Sequence, residues 1–533
     1  MSSGTVRSRL LGLAPVLGVL LFFVVTGLRG LDFGRHWDED IQRRAVMRAV
    51  TRDTLLPGFY KYPSVSFALS VAAATPEIVA RTHATDEGLS TVLQTDTDAV
   101  VKHVQSEAYK LRARTLFLLA SALSVLWIAL AARASGTTWL GALFAASLLG
   151  GSWELAYHAR WIAPDTVMVQ FTALCLAALL AARSSPRTAA FCCVAALAAG
   201  LAAGTKYPGG LLLLAVLPAS VHCAAREGRS LVRAGVGSLL LFALAYLAST
   251  PGTLLEPRLF LNDLAYEAAH YAKGHWGFTV EPGIDHLSRA IRYLGVELFS
   301  DYAPLAVFTS LLALVGAVHA WRESKPLFAL LVLLPLVYLL FVGTKRVLFV
   351  RNLLFLAPFM ALLATRGAGL IARSLPYRAA VAFSVLLALG WTANAWTLMQ
   401  AADEIRERGP AELGRSLADH LDRHPDRRYH LTKGALRCLA EAGLEAPENA
   451  RFPETEANAI ACLPDDLRGH LMWPANVPDR LLAAIGPRSV NYGWYTTWDE
   501  PWIAVVEPDF ADWVRDVRWH AEEPTPGSNA AQH

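Results

Sequence analysis

Two adjacent carboxylates, Asp38 and Glu39, follow an apolar run from Leu10 to Leu31 and precede a helical pattern carrying Arg43, Arg44 and Arg48. A carboxylate within hydrogen-bond reach of a hydroxyl can take its proton as the oxygen attacks, which is general-base chemistry. Neighbouring residues diverge by about 100° on a helix and face opposite ways on a strand. Asp38 and Glu39 are therefore no close acid/base dyad; one acts while the other orients a helix or a substrate. The competing reading is structural: Asp38, ahead of a helix opening near Asp40, would cap free backbone N–H groups.

Cations form the second set. Lys61 stands in Tyr60-Lys61-Tyr62-Pro63, and Arg160 stands in Tyr157-His158-Ala159-Arg160-Trp161, followed by Pro164-Asp165. Lys206 lies in Gly204-Thr205-Lys206-Tyr207-Pro208, and Lys345, Arg346 and Arg351 lie close together further on. Lys and Arg bind phosphate oxygens through charge-assisted hydrogen bonds. The bland alternative is snorkelling of single side chains to lipid phosphates. Cations from several separate turns point to a shared pocket.

The third set is Glu267, His270 and His275, with Trp276 beside them. Glu267 and His270 fall on one helix face at i, i+3, and all three are candidate substrate-binding residues. The His270/His275 spacing across Gly274 is not the helical HExxH zinc pattern, and the third ligand that a metal site needs is not identified. No cofactor is expected; a divalent metal stays open as the lesser alternative, and none is required if cations stabilise the leaving phosphate.

The elements that position these residues are mostly membrane helices. Of 533 residues, 54% are hydrophobic and 17% charged, against about 25% charged in a soluble domain. A net charge of +3, with no basic run interleaved with aromatics, excludes nucleic acid as a partner. Apolar segments recur at 10–31, 112–132, 137–157, 166–182, 189–205, 208–224, 234–250, 303–320, 326–343, 347–365 and 379–398. That is about eleven spans, given the ~20 apolar residues a crossing helix needs. The first, preceded by Arg7 and Arg9 and lacking a small-residue cleavage site, reads as an uncleaved signal anchor.

Threading the chain through the cell (inner) membrane with its N-terminus cytoplasmic places Arg133, Arg183, Arg187, Arg226, Arg229, Arg233, Arg322, Lys325, Arg366, Arg373 and Arg378 in cytoplasmic turns, offset there only by Glu227 and Glu323. That is a positive-inside pattern, and reversing the chain destroys it. The segments 32–111, 251–302 and everything past about residue 400 then face outward, in the periplasm or outside the cell. Residues 41–50 and 65–74 read as helices lying on the membrane surface.

Residues 1–400 read as the membrane domain and 401–521 as a small soluble α+β domain, with a helix over Leu413 to Leu421 and a strand over Trp502 to Val506. Residues 522–533 read as a disordered tail. Six cysteines show no CxxC spacing, which argues against a zinc or redox site. Cys438 and Cys462 both lie in the outward domain, where an oxidising compartment would link them; the alternative is two buried thiols.

Taken in order, the motifs begin with an apolar helix, the Asp38-Glu39 pair and Tyr60-Lys61-Tyr62-Pro63. The Arg160…Pro164-Asp165 turn, the Gly204-Thr205-Lys206-Tyr207-Pro208 turn and Arg351-Asn352-Leu353-Leu354-Phe355-Leu356-Ala357-Pro358 follow. This order resembles the GT-C glycosyltransferases of the protein O-mannosyltransferase and aminoarabinose transferase type, over roughly residues 10–400. The resemblance implies a GT-C-like bundle of about eleven transmembrane helices, a catalytic acidic residue at Asp38 with Glu39 beside it, and a donor-phosphate contact at Lys61. It also implies a second acidic position at Asp165 and a lipid-phosphate pocket at Lys345, Arg346 and Arg351.

The resulting expectation is a membrane glycosyltransferase that moves a sugar from a polyprenyl-phosphate donor to an acceptor hydroxyl on the outer face, with inversion. Asp38 is the general base. Lys61, Arg160, Lys206, Lys345, Arg346 and Arg351 meet the donor phosphate, and Tyr60, Tyr62, Asp165, Glu267, His270 and His275 meet substrate. The partners are the lipid-linked sugar, membrane lipid, and a glycan, lipid or protein acceptor. Two readings from other classes stay open: a transporter or flippase of lipid-linked sugars, and a non-catalytic membrane scaffold. Inverted repeats would favour the transporter, and none is visible.

Overall fold

The computed structural model describes residues 3–29, 31–32, 36–85, 97–274, 278–300, 302–407, 410–463, 481–485, 491–492, 496–497 and 503–508. The chain forms two compact units, Met1–Gln400 and Ala401–His533.

The first unit is helical. Its elements are α1 (Ser3–Leu28), α2 (Trp37–Thr51), α3 (Val65–Thr85), α4 (Thr97–Val104), α5 (Glu107–Ala134), α6 (Trp139–Gly150), α7 (Trp153–His158), α8 (Pro164–Ala182) and α9 (Thr188–Ala203). They continue with α10 (Tyr207–Arg226), which opens as a 3-10 turn, and α11 (Leu231–Ser249). Next come α12 (Pro257–Lys273), α13 (Ile284–Val296) and α14 (Ala303–Glu323). The last three are α15 (Lys325–Gly343), α16 (Val350–Ser374), whose first residues are 3-10, and α17 (Tyr377–Glu407).

Among the described residues, eight helices are long and apolar enough to cross a membrane: α5, α8, α10, α11, α14, α15, α16 and the Tyr377–Thr397 part of α17. Shorter apolar helices, Gly12–Leu28, Trp139–Gly150 and Thr188–Ala203, fall on the remaining expected segments. The expected span 137–157 is not continuous. It breaks at Gly151-Ser152, because polar groups from distant helices hold the backbone there. Asn394 Nδ2 donates to Gly151 O at 2.6 Å, and Ser152 Oγ donates to Leu298 O at 2.9 Å.

Helices α14 and α16 approach backbone to backbone. A Cβ on Gly316 would collide with the Leu363 carbonyl, and one on Gly367 with the Leu312 carbonyl, so only glycine fits there. Outside the spans, α2, α3 and α4 share a core of Ala45, Val46, Ala49, Phe67, Ala73, Val100 and Val104 with Tyr109 and Phe117 of α5. The second expected surface helix is longer than ten residues, since α3 runs on to Thr85.

In the second unit, α18 (Pro410–Arg423) precedes β1 (Tyr429–Leu431), α19 (Lys433–Glu441), β2 (Ala459–Cys462), β3 (Leu481–Ile485), β4 (Asn491–Tyr492), β5 (Thr496–Thr497) and β6 (Ile503–Val506). The sheet order is β1-β2-β6-β3, with β1 and β2 parallel and β6 antiparallel to both its neighbours. Leu413, Leu417 and Leu421 recur at i, i+4 and i+8 and bury against Tyr429, Leu439, Ile503 and Val505. The expected Cys438–Cys462 bridge is not formed: both residues are buried thiols. Buried cysteine behaves as a small hydrophobe: Cys438 joins the apolar core between helix and sheet, while Cys462, out of step with Ala459 and Ala461 along β2, donates its Sγ to the Ala504 carbonyl at 3.6 Å. The tail 522–533 lies outside the described residues.

Candidate active site

Helix α2 starts with a reciprocal cap. His36 Nδ1 accepts from the Asp38 N–H at 3.3 Å, and Glu39 Oε2 accepts from the His36 N–H at 3.3 Å. The cap is thus His36, not Asp38 as the structural reading supposed, and the Asp38 side chain is left for other contacts. Asp38 is 2% exposed. Tyr62 Oη donates to its Oδ1 at 3.2 Å, and Arg351 Nη1 lies 3.1 Å from its Oδ2.

A second carboxylate faces the same arginine. Asp165, in the first turn of α8 behind Pro164, is fully buried, and Lys206 Nζ donates to its Oδ1 at 2.5 Å. Arg351 Nε lies 3.8 Å from its Oδ2. Lys206 also donates to Asn352 Oδ1 at 2.6 Å, while Asn352 Nδ2 donates to Tyr271 Oη at 3.2 Å. Tyr338 Oη donates to the Asn352 carbonyl at 2.7 Å. The centre is thus two carboxylates bridged by Arg351, with Lys206 on the far side.

Burial raises the Asp38 carboxyl above the usual range, while the Arg351 guanidinium pulls the other way. Burial, with the Asp38 charge added, keeps the Tyr62 phenol protonated far above its ordinary range. His36 is held neutral, first by burial and then by Arg351. Burial makes the carboxylate the stronger base, while the Tyr62 phenol and the Arg351 guanidinium favour its ionised form, the form that can accept a proton.

Glu39 does not share this role. Arg114 on α5 donates Nε to Glu39 Oε1 and Nη2 to Oε2, both at 2.7 Å, and Nη1 to the Leu31 carbonyl. The Ile162 N–H also donates to Oε1. The Arg114 guanidinium in turn lies over the buried Trp161 ring at 4.5 Å. Glu39 braces the start of α2 against α5, and Trp161 is a packing surface for an arginine.

The other expected residues fall into three groups. Near α12, Lys61 Nζ sits 3.3 Å over the Tyr266 ring, which also stacks on His270. Burial lifts half-buried Glu267 to about 7, with Lys61 and Lys206 opposing and Asp38 adding to the rise. Burial lowers His270, and Lys61 lowers it further. In the supporting frame, the Tyr60 N–H donates to Asp263 at 2.5 Å and its hydroxyl to Glu256. Arg160 Nη2 donates to the Thr26 carbonyl at 3.2 Å. Away from the centre, Lys345 lies over the Phe341 ring and exposed Arg346 pairs with Glu281 at 3.4 Å. These last two cations do not enter the cluster, because the turn that carries them points them outward while Arg351 is drawn in by two carboxylates. His275 lies outside the described residues.

Sequence reasoning missed the roles of Arg114, Asn352 and Tyr271. Arg114 carried a signal, since an ionisable residue inside an apolar run calls for a partner. Asn352 stood in a motif without a role of its own, and Tyr271 carried no signal.

No family model and no curated protein sequence matches the chain. Among solved structures, it is similar to ArnT from Cupriavidus metallidurans in the apo state, an aminoarabinose transferase of the GT-C class. The two are 13% identical, with a TM-score of 0.50 over 94% of this chain and 98% of that one. The chain has the GT-C fold. Two further structures lie at lower scores. ArnT bound to undecaprenyl phosphate is 14% identical, with a TM-score of 0.48 over 95% of this chain and 98% of that one. The oligosaccharyltransferase AglB from Archaeoglobus fulgidus, in complex with an inhibitory peptide and a dolichol-phosphate, is 12% identical, with a TM-score of 0.45 over 84% and 69%.

Proposed function

We propose that this GT-C chain is a membrane glycosyltransferase that moves a sugar from a polyprenyl-phosphate donor to an acceptor hydroxyl on the outer face. One observation carries the reading: Asp38 Oδ2 accepts no hydrogen bond among the described residues, yet Arg351 stands 3.1 Å away and Lys206 holds the adjacent carboxylate. A base with an open lone pair beside two buried cations matches a reaction that removes a proton and releases a phosphate.

The step is a single displacement. The acceptor oxygen attacks the anomeric carbon, the carbon–oxygen bond to phosphate breaks, and its electron pair goes to the phosphate. The hydroxyl proton goes to Asp38 Oδ2, and displacement from one side inverts the anomeric carbon. Arg351 and Lys206 face the charge that grows on the leaving phosphate, where fixed positive groups act most strongly. Lys61, Glu267 and His270 border the outward side, where an acceptor would enter. The reaction needs no cofactor, because cations supply the charge stabilisation.

The test is incubation of the purified protein with polyprenyl-phosphate sugars, following release of polyprenyl phosphate. Release that depends on Asp38 supports the reading. No release from any such donor, with donor binding intact, overturns it.

A further inference from the structure

Glu154 and His158 lie one turn apart on α7, 0% and 5% exposed, with His158 Nε2 2.9 Å from Glu154 Oε1. An ionised carboxylate can only accept, so this contact puts the ring proton on Nε2 and leaves Nδ1 bare. Nδ1 makes no hydrogen bond among the described residues. The ring meets His36 edge-on, at 6.0 Å between centroids. His36 in turn touches the Asp38 backbone and lies 3.2 Å from Arg351 Nη1.

A helix staple would account for the contact with Glu154. It would not account for a bare nitrogen buried beside the centre. The staple is also unnecessary, since Ser152 already caps α7. A carboxylate that fixes an imidazole tautomer and leaves the second nitrogen without a proton is an arrangement used to accept protons.

We propose that Glu154 and His158 form a carboxylate–imidazole dyad that takes up the proton released during glycosyl transfer. The inference rests on the glycosyltransferase reading. The acceptor O–H bond breaks and its proton goes to Asp38. It then passes to His158, whose ring meets that of His36, and this returns Asp38 to its basic form. The charge becomes an imidazolium beside Glu154, and no oxidant or further reactant is consumed. His158 acts through Asp38 and is a positioning and proton-holding residue. The charged and titratable groups around it are His36 ahead of α2, Asp165 at the start of α8 and Arg351 on the turn packed against α7.

Two measurements decide it. Nitrogen-15 histidine spectra of the whole wild-type protein read the tautomer without any turnover: Nε2–H with a bare Nδ1 is expected, and an Nδ1–H tautomer overturns the dyad. In the transfer assay, His158→Gln keeps a donor to Glu154 but cannot hold the proton. Its kcat should fall on the order of 10²-fold, with donor KM unchanged. Glu154→Gln should move the acidic limb of the kcat–pH profile to lower pH, since the anion that favours the imidazolium is gone. Wild-type kcat in His158→Gln, or an unmoved limb in Glu154→Gln, overturns the dyad. A wild-type protein that transfers no sugar overturns the glycosyltransferase reading instead, and the spectra still decide the tautomer.

Discussion

Glu39 and Arg114, 75 residues apart, are joined by two parallel hydrogen bonds of 2.7 Å in a site almost closed to solvent. The pair ties the start of α2 to α5 and so fixes where Asp38 points. Breaking a buried pair by removing one partner costs about 3–5 kcal/mol. Glu39→Ala and Arg114→Ala should therefore lower the thermal unfolding midpoint in detergent sharply. Arg114→Lys should not restore it, because an ammonium cannot make the paired contact. Wild-type midpoints in both alanine variants would show that the pair is not structural.

Asp38→Asn should leave the protein folded and able to bind its lipid donor, yet lower transfer by a factor on the order of 10²–10⁴. The cap at His36 does not depend on the Asp38 side chain, and Arg351 keeps Asp165 as a partner. Transfer at the wild-type rate would remove Asp38 as the base. A transporter would show the reverse pattern, with cation variants dead and Asp38→Asn nearly intact.

The cations should separate into two classes. Arg351→Ala and Lys206→Ala strip partners from buried carboxylates and should weaken both donor binding and turnover. Lys345→Ala and Arg346→Ala, whose side chains lie away from the centre, should change stability by no more than about 0.5 kcal/mol and leave donor binding unaltered. Equal loss of donor binding in all four, measured by titration with polyprenyl phosphate, would restore the larger pocket expected from the sequence.

Glu267 gives a pH dependence. Its carboxyl sits at about 7 against an ordinary 4.5, so the folded protein holds a proton that the unfolded chain has lost. The associated stability is full below about 4.5, falls as pH rises and is gone above about 7. Wild type and Glu267→Gln should unfold alike at pH 4.5, and wild type should become the less stable of the two by about pH 8. A constant difference across that range would show that Glu267 is not protonated in the folded state.

A fusion reporter in the turn at residues 184–187 should be active only in the cytoplasm, because reversing the chain would carry eleven basic turn residues outward. Activity of that reporter on the outer side would overturn the orientation.

Composition and apolar run length made the helical architecture legible, since a span needs little more than enough carbon. The break at Gly151-Ser152 was not legible, because Asn394 and Leu298, which hold it, are far away in sequence. In the site, the cost of outward cations singled out Lys206 and Arg351. Which carboxylate each would meet was hidden, because the pairs form between turns with no local pattern. Asp165 follows Arg160 in sequence but pairs with Lys206, while Arg160 reaches the Thr26 carbonyl.

The Arg351 bridge has a consequence for how any anion is held. Asp38 and Asp165 carry two negative charges and Arg351 and Lys206 two positive ones, so the four groups are electroneutral as a set. A phosphate entering here would be exchanged against the protein's own carboxylates rather than added to vacant cations. Such an ion-exchange site keeps ground-state affinity moderate, and once the anion departs the carboxylates close the circuit again. On the glycosyltransferase reading, product lipid would be expelled by the same groups that let the donor in.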